Sequence, residues 1–398
     1  MTDYDVIIIG GGMVGGCLGL ALSESLLRIA IVEATPLADK QIDAAGKRAI
    51  ALSWGSRGLL EQLNVWPALA GSAMPIRQIH VSDKGHFGKV RLSAETQGVE
   101  ALGYVAEAAQ IEAVVGASLA ATSIDNLCPA ELLDYSAEED QTSVTILLNG
   151  VEKSLSCKLL VGADGAMSKV RQRGDFELQE HLYHQQAITG LLKVESEKCD
   201  IAYERFTSEG PIAMLPHFDN LYSLVWTVPS ELAQEVMQLP QEAFIARLQS
   251  QFGQWLGELS LVGDYQTFPL SLSHVPQNVS TRVVLIGNAA HQLHPVAGQG
   301  FNLGLRDAAI LAVALRSAVD DVGAEDVLTQ YAQQRKTDQR LITGFTDSVV
   351  RLFSNNNALL SFMRNSGLLL LDKVPLLKNQ FARQTMGLGS RLARLKAS

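Results

Sequence analysis

"DYDVIIIGGGMVGGCLGLALSESLLRIAIVEA", residues 3–34, decides the fold. A short β-branched run, Val6–Ile9, leads into Gly10-x-Gly12-x-x-Gly15. Met13 to Leu26 then reads as a helix of small and apolar residues, and "RIAIVEA" as a second buried strand ending in Glu33. Strand, glycine turn, helix, strand and acid in this order form the dinucleotide fingerprint in its proper setting. Gly10 serves the tight turn, Gly12 lets a pyrophosphate approach the backbone, and Gly15 lets helix and strand pack closely. Phosphates belong on the helix N-terminus, where free N–H groups and the dipole favour negative charge. Glu33 is placed to accept hydrogen bonds from an adenosine ribose. This motif alone leaves NAD and FAD both open.

Composition bounds the rest. A chain of 398 residues suits two domains with some excess. A hydrophobic fraction of 47% and a charged fraction of 19% describe an ordinary globular protein. The net charge of −10 argues against nucleic acid as a partner, because phosphate binding wants a basic surface. That charge is uneven: from Arg351 onward eight basic residues face one acid, Asp372, so this segment is +7 and the remainder −17. Cys17, Cys128, Cys157 and Cys199 lie far apart with no CxxC pair, a pattern of free thiols in a reducing cytoplasm. Val6 to Leu22 is apolar, but it holds six glycines and follows Asp3 and Asp5 instead of a basic region, so it is not read as a signal peptide. No other stretch has the apolar length to cross a bilayer, so a soluble or peripheral protein is expected.

Two later motifs choose the dinucleotide. Residues 142–163 read as a hairpin, "TSVTILL", the turn Asn149-Gly150 and "VEKSLSC", then the apolar strand "KLLVGA". That strand runs into "GADGAMSKVR", with Asp164, Gly165, Ser168 and Arg171 in a D-G-x-x-S-x-x-R pattern. Asp164 stands at a strand end where it can hold a nucleotide or open a helix, and Arg171 either neutralises phosphate or anchors the loop. Further on, "GNAAHQLHPVAGQGFNLG", residues 287–304, precedes a clear helix, "FNLGLRDAAILAVALRSAV". The three motifs together resemble the para-hydroxybenzoate hydroxylase-like flavin monooxygenases, whose third motif usually reads G-D-A-A-H, three residues, P, two residues, G-Q-G-x-N. Gly287, Ala289, Ala290, His291, Pro295, Gly298, Gln299, Gly300 and Asn302 match it.

The resemblance implies an α/β fold: a Rossmann-like FAD-binding domain, an antiparallel β-sheet substrate domain, and C-terminal helices. The expected FAD-binding domain is discontinuous, residues 1–75, 94–180 and 276–345. Residues 76–93 and 181–275 form the substrate sheet, and 346–398 a basic helical segment. It also implies FAD as cofactor, with NAD(P)H and O2 as co-substrates, and a second glycine loop that holds the ribityl chain and flavin ring. Cofactor contacts are expected from Gly10, Gly12, Gly15, Glu33, Asp164, Asn288, Gly298, Gln299, Gly300 and Asn302, from Arg48 or else as a helix cap, and from Gln110. Asn288 replaces the family's Asp. An amide accepts a hydroxyl hydrogen bond without charge, so FAD binding is expected to weaken by about 1 kcal/mol.

Within the ubiquinone-biosynthesis hydroxylases, G-N-A-A followed by L-H-P-x-A-G-Q-G-F-N-L-G resembles the 2-polyprenyl-6-methoxyphenol hydroxylase branch. "KRAIALSWGS" at 47–56, "YERFTSEGPIAMLP" at 203–216 and "TDSVVRLFSN" at 346–355 fit the same branch. The implied reaction is hydroxylation of a polyprenylated methoxyphenol through a flavin hydroperoxide. Alternatives are another ring hydroxylase of that pathway or of small phenols, or a non-catalytic flavin-binding subunit of a membrane-associated complex. Catalytic positions are assigned to His294, facing the pocket or donating to its loop, and to Pro295 beside the flavin. His291-x-x-His294 lacks the further ligands a zinc site wants, so no metal is expected. The basic, apolar C-terminal segment suits an anionic membrane surface or packing on the acidic body. A cytoplasmic enzyme is expected, peripheral on the inner face of the membrane and near other ubiquinone-synthesis proteins.

Overall fold

In the computed structural model, residues 2–36, 48–293, 298–353, 358–388 and 395 are described. Among them the strands form two eight-stranded sheets and one of three strands.

The first sheet grows from Tyr4–Ile9. It pairs in parallel with Ile29–Val32 on one side and with the end of Val151–Gly162 on the other, and Val283–Leu285 follows beyond. Successive strand side chains point to opposite faces, and here both faces are covered. Val6 and Ile8 pack against Cys17, Leu18, Leu305 and Ala309 of two helices. Ile7 and Ile9 pack on the other side with Val144, Leu160 and Leu285. All four are at most 5% exposed, and each such burial contributes about 1.5–3 kcal/mol. Continuous apolar runs in these strands follow from that two-sided burial.

Val151–Gly162 works in two environments. Its first half forms a hairpin with Thr142–Leu148, closed by Asn149 and Gly150, both at positive φ as a tight primed turn requires. Its second half is buried beside Tyr4–Ile9, and at Cys157 the strand pairs with both neighbours. The first helix is shorter than the sequence suggests: it spans Met13–Leu22, not Met13 to Leu26. The hydroxyls of Ser23 and Ser25 donate to the carbonyls of Leu20 and Leu22, which ends the helix by competition for its last acceptors.

The second sheet runs in the order His291–Gln292, Leu259–His274, Gln179–Val194, Leu221–Pro229, Gly210–Pro216, Ile201–Thr207, Gln78–Asp83, Lys89–Ser93. It departs from simple antiparallel order at one junction, where Ile201–Thr207 and Gln78–Asp83 run parallel. It also recruits His291–Gln292 from the third sequence motif. One face is a core of Ile188, Tyr222, Leu224 and Trp226 under Phe244 and Phe252. The opposite face looks toward the first sheet. The expected boundary at residue 75 falls inside Met74–Ile76, which belongs to the small sheet with Ala49–Ser53 and Gly103–Glu107.

The C-terminal segment packs on this frame through Glu325–Phe353, Ala358–Lys373 and Pro375–Thr385. Leu368, Leu371, Phe381 and Met386 join Val90 and Leu92 in one cluster. A polar clasp fixes the register: Asp83, 3% exposed, accepts from Arg364 Nε and Asn365 Nδ2, both at 2.8 Å. No described helix is long and apolar enough to cross a membrane.

Candidate active site

A cleft of about 1170 Å³ lies between the two large sheets, and all three motifs reach it. The first contributes a backbone shaped by contact. Gly10 has φ +99°, and a Cβ there would sit 2.5 Å from the carbonyl oxygen of Ala163. A Cβ on Gly15 would collide with the Gly10 carbonyl, so this glycine is demanded by helix–strand packing and lies outside the cleft lining. Gly12 differs. The nearest atom to its missing Cβ is Glu112 Oε1 at 4.0 Å, so the space over Gly12 is open. Helix Met13–Leu22 has no side-chain cap and no acid in its first turn. Its free N–H groups face the cleft as an anion site.

Glu33 lines the cleft and also holds the loop. Its Oε2 accepts from the Gly11 N–H at 2.7 Å and its Oε1 from the Thr35 N–H at 3.2 Å. Each carboxylate oxygen accepts more than one hydrogen bond, so ribose hydroxyls remain within its capacity. Glu112, which the sequence reading did not single out, also lines the cleft beside Gly12. It sits on helix Ala108–Ala120, where no local motif marks it.

Asp164 has two roles. Its Oδ2 accepts from the N–H groups of Lys169 and Val170 at 2.6 and 3.2 Å, opening the short helix that Ser168 caps. Its Oδ1 is buried at the cleft wall, with no hydrogen-bond partner among the described residues. A buried orphan acceptor of this kind fits a hydroxyl donor of a bound nucleotide. Arg171 is 6% exposed and is an anchor: Nη1 donates to the Ala289 carbonyl at 2.9 Å and Nη2 to that of Ala166 at 2.5 Å. It therefore ties the second motif to the third.

In the third motif, Asn288 is exposed to the cleft while its neighbours Gly287 and Ala289 are buried. The following helix, Gln299–Ser317, starts without a side-chain cap or an acid in its first turn. Gly298, Gln299 and Gly300 line the cleft there, and none of the described residues lies within 4 Å of a Cβ placed on Gly300. Two unblocked helix N-termini thus serve one groove. Asn302 is largely committed to the scaffold: Oδ1 accepts from the Ser53 N–H at 2.8 Å, and Nδ2 donates to Ala51 and Gly298 carbonyls at 2.8 and 2.7 Å. It positions the glycine loop against strand Ala49–Ser53.

Arg48 is exposed and lines the cleft. Gln110 does not line it; its Oε1, on helix Ala108–Ala120, is buried without a partner among the described residues. His294 and Pro295 fall outside the described residues. His291 is 3% exposed and bonded through Nε2 to Asp307 at 2.5 Å, in a network that continues to Arg335 and Asp338. It braces the loop from behind. His217 is bonded to Ser223 at 2.8 Å and does not line the cleft.

Beyond the glycine loops the lining becomes apolar. Ala187, Ala213 and Val225 come from the second sheet, and Leu371 and Phe381 from the C-terminal helices. Glu204 is the one charged side chain that this sheet adds among the described residues. The part played by the C-terminal helices was not visible in sequence, since their pattern shows an apolar side without its partner.

The residues fit FAD: two helix N-termini, space over Gly12 and Gly300 clear of the described residues, and an orphan carboxylate oxygen of Asp164, all on one cleft. Comparison with known proteins agrees. The family model described as FAD binding domain matches residues 3–346. The chain is 36% identical to the ubiquinone hydroxylase UbiL of Rhodospirillum rubrum, covering 96% of this chain and 89% of that one. It is 32% identical to 3-demethoxyubiquinol 3-hydroxylase of Escherichia coli, covering 96% and 98%. In fold it resembles the p-nitrophenol 4-monooxygenase PnpA of Pseudomonas putida DLL-E4, with a TM-score of 0.76 at 14% identity over 97% of this chain and 98% of that one. The chain belongs to the FAD-binding-domain family of flavin monooxygenases, among the ubiquinone-biosynthesis hydroxylases, and is an FAD-dependent oxidoreductase.

Proposed function

We propose that this enzyme hydroxylates a polyprenylated methoxyphenol in ubiquinone synthesis, using NAD(P)H and O2. The observation that carries the reading is the continuity of the cleft, which runs from the glycine loops along the apolar face of the second sheet to the C-terminal helices. With FAD in the first part, the apolar remainder suits a phenol ring and its long apolar tail. Bound FAD supplies the electron transfer and oxygen chemistry.

The chain's own residues bind, orient and exclude water. The N-termini of Met13–Leu22 and Gln299–Ser317 hold phosphate and flavin oxygens by backbone N–H donation. Asp164 Oδ1 and Asn288 accept from hydroxyls, and Arg171 and Asn302 fix the loops that carry these groups. Ala187, Ala213 and Val225 leave room for a substrate ring against an apolar wall. The same reading has the enzyme working at the inner face of the cytoplasmic membrane, where such a phenol dissolves.

The test is a strain lacking the protein, together with the purified flavoprotein. Accumulation of the methoxyphenol, and NAD(P)H oxidation stimulated by it with formation of the hydroxylated ring, are expected. Accumulation of a different ring intermediate would reassign the substrate.

A further inference from the structure

The two C-terminal helices present opposite sides to different surroundings. In Ala358–Lys373, Leu368 and Leu371 turn into the cleft, while Phe362 and Leu370 on the far side are 65% and 55% exposed. In Pro375–Thr385, Phe381 and Thr385 turn inward, while Leu376 is 76% exposed. Lys373 shares the outer side with Phe362, and Arg383 lies two turns from Leu376 on the same side; both cations are exposed. Phe345, on Glu325–Phe353, belongs to both surroundings: it lines the cleft and is 37% exposed, with its ring 6.1 Å from that of Phe381. The apolar lining therefore continues to the outside at this point.

Isolated exposed apolar residues need no explanation, but several large ones on the outer sides of two helices whose inner sides line an apolar cleft do. Lys373 and Arg383 stand exposed among these apolar residues, whereas Arg364 and Lys378 are paired with Asp83 and Asp372; two outward cations beside an apolar surface select an anionic partner. A second copy also offers negative charge, but it would close the opening; a bilayer would supply what enters it. We infer that the outer sides of these two helices dock on an anionic lipid bilayer. The opening beside Phe345 then meets the acyl chains, and an apolar tail enters the cleft without crossing water. This assignment of a docking face rests on the proposed polyprenylated substrate.

The test is flotation of the FAD-loaded full chain with vesicles of phosphatidylcholine alone or mixed with phosphatidylglycerol. Binding to the mixed vesicles, weakened by salt, is expected. Leu370→Glu combined with Leu376→Glu should abolish it while FAD content and melting temperature stay unchanged. Lys373→Glu combined with Arg383→Glu, which alters no buried residue, should lower partitioning by about fivefold or more per cation and flatten the salt dependence. The inference is overturned if the unaltered chain stays with neither vesicle. It is also overturned if both double variants bind as the parent does, or if the leucine pair instead disrupts a dimer that ignores lipid. Flotation needs no turnover, so failure of phenol hydroxylation would remove the substrate reading and leave the vesicle result to judge the face.

Discussion

Arg171 Nη1 donates a 2.9 Å hydrogen bond to the carbonyl oxygen of Ala289, across 118 positions of sequence. This contact joins the loop carrying Asp164 to the loop carrying Asn288, so two polar groups of the cleft wall share one support. Removing the guanidinium leaves the carbonyls of buried Ala289 and half-buried Ala166 without their donor. Arg171→Ala is therefore expected to cost about 1–3 kcal/mol per orphaned group and to loosen FAD, read as melting temperature and flavin dissociation constant. Unchanged FAD affinity would mean the two loops hold their geometry independently.

Gly12 and Gly15 separate binding from folding. Gly12→Ala meets nothing closer than 4.0 Å among the described residues, so the flavin-free chain should melt as the parent does. Its methyl group occupies space a pyrophosphate needs, and FAD affinity should fall by about tenfold or more. Gly15→Ala drives a methyl into the Gly10 carbonyl and should destabilise the flavin-free chain itself, by about 1–3 kcal/mol. Differential scanning of both variants with and without FAD distinguishes the two effects.

At Asn288, restoring a carboxylate tests the amide directly. Asn288→Asp replaces a neutral acceptor with a charged one, worth about 1 kcal/mol, so FAD is expected to bind up to about tenfold tighter. A flavin fluorescence titration reads this, and weaker binding would show that repulsion from the pyrophosphate dominates.

The buried network behind the loop predicts an acid limb of stability. Burial pushes the Asp307 carboxyl up, but His291 and Arg335 outweigh it and hold the group well below the usual carboxylate range. A folded-state value below the unfolded 3.8 gives stabilisation that is present above about pH 4 and lost as pH falls through the lower value. Asp307→Asn should cost about 3–5 kcal/mol at neutral pH, since it leaves buried donors without their charged partner. It should also flatten the fall in stability below pH 4, measured by denaturant unfolding across pH.

Filling the apolar face should discriminate between substrates by tail length. Ala213→Phe adds a ring to the sheet wall of the cleft. The KM for a long-chain phenol is expected to rise by about tenfold, and that for a short-chain phenol by less. Equal losses for both would place the tail elsewhere.

The sequence alone determined the parts governed by short-range geometry. Val6–Ile9 followed by three spaced glycines specifies a strand, a turn and a helix, because backbone dihedrals and side-chain alternation act over a few residues. The same holds for Asn149-Gly150 and for the helix after Gly298. Helix Met13–Leu22 was overextended in that reading because the stop comes from two serine hydroxyls that suit a helix or its end equally well in sequence. Tertiary structure decided what Arg171, Asn302 and the C-terminal helices do. Their partners, Ala289, Ser53 and Asp83, lie 118, 249 and 281 positions away, and contacts across such distances leave no periodicity to read. Only the packing of two sheets and three helices turns a set of separate loops into a single cleft with an apolar far end.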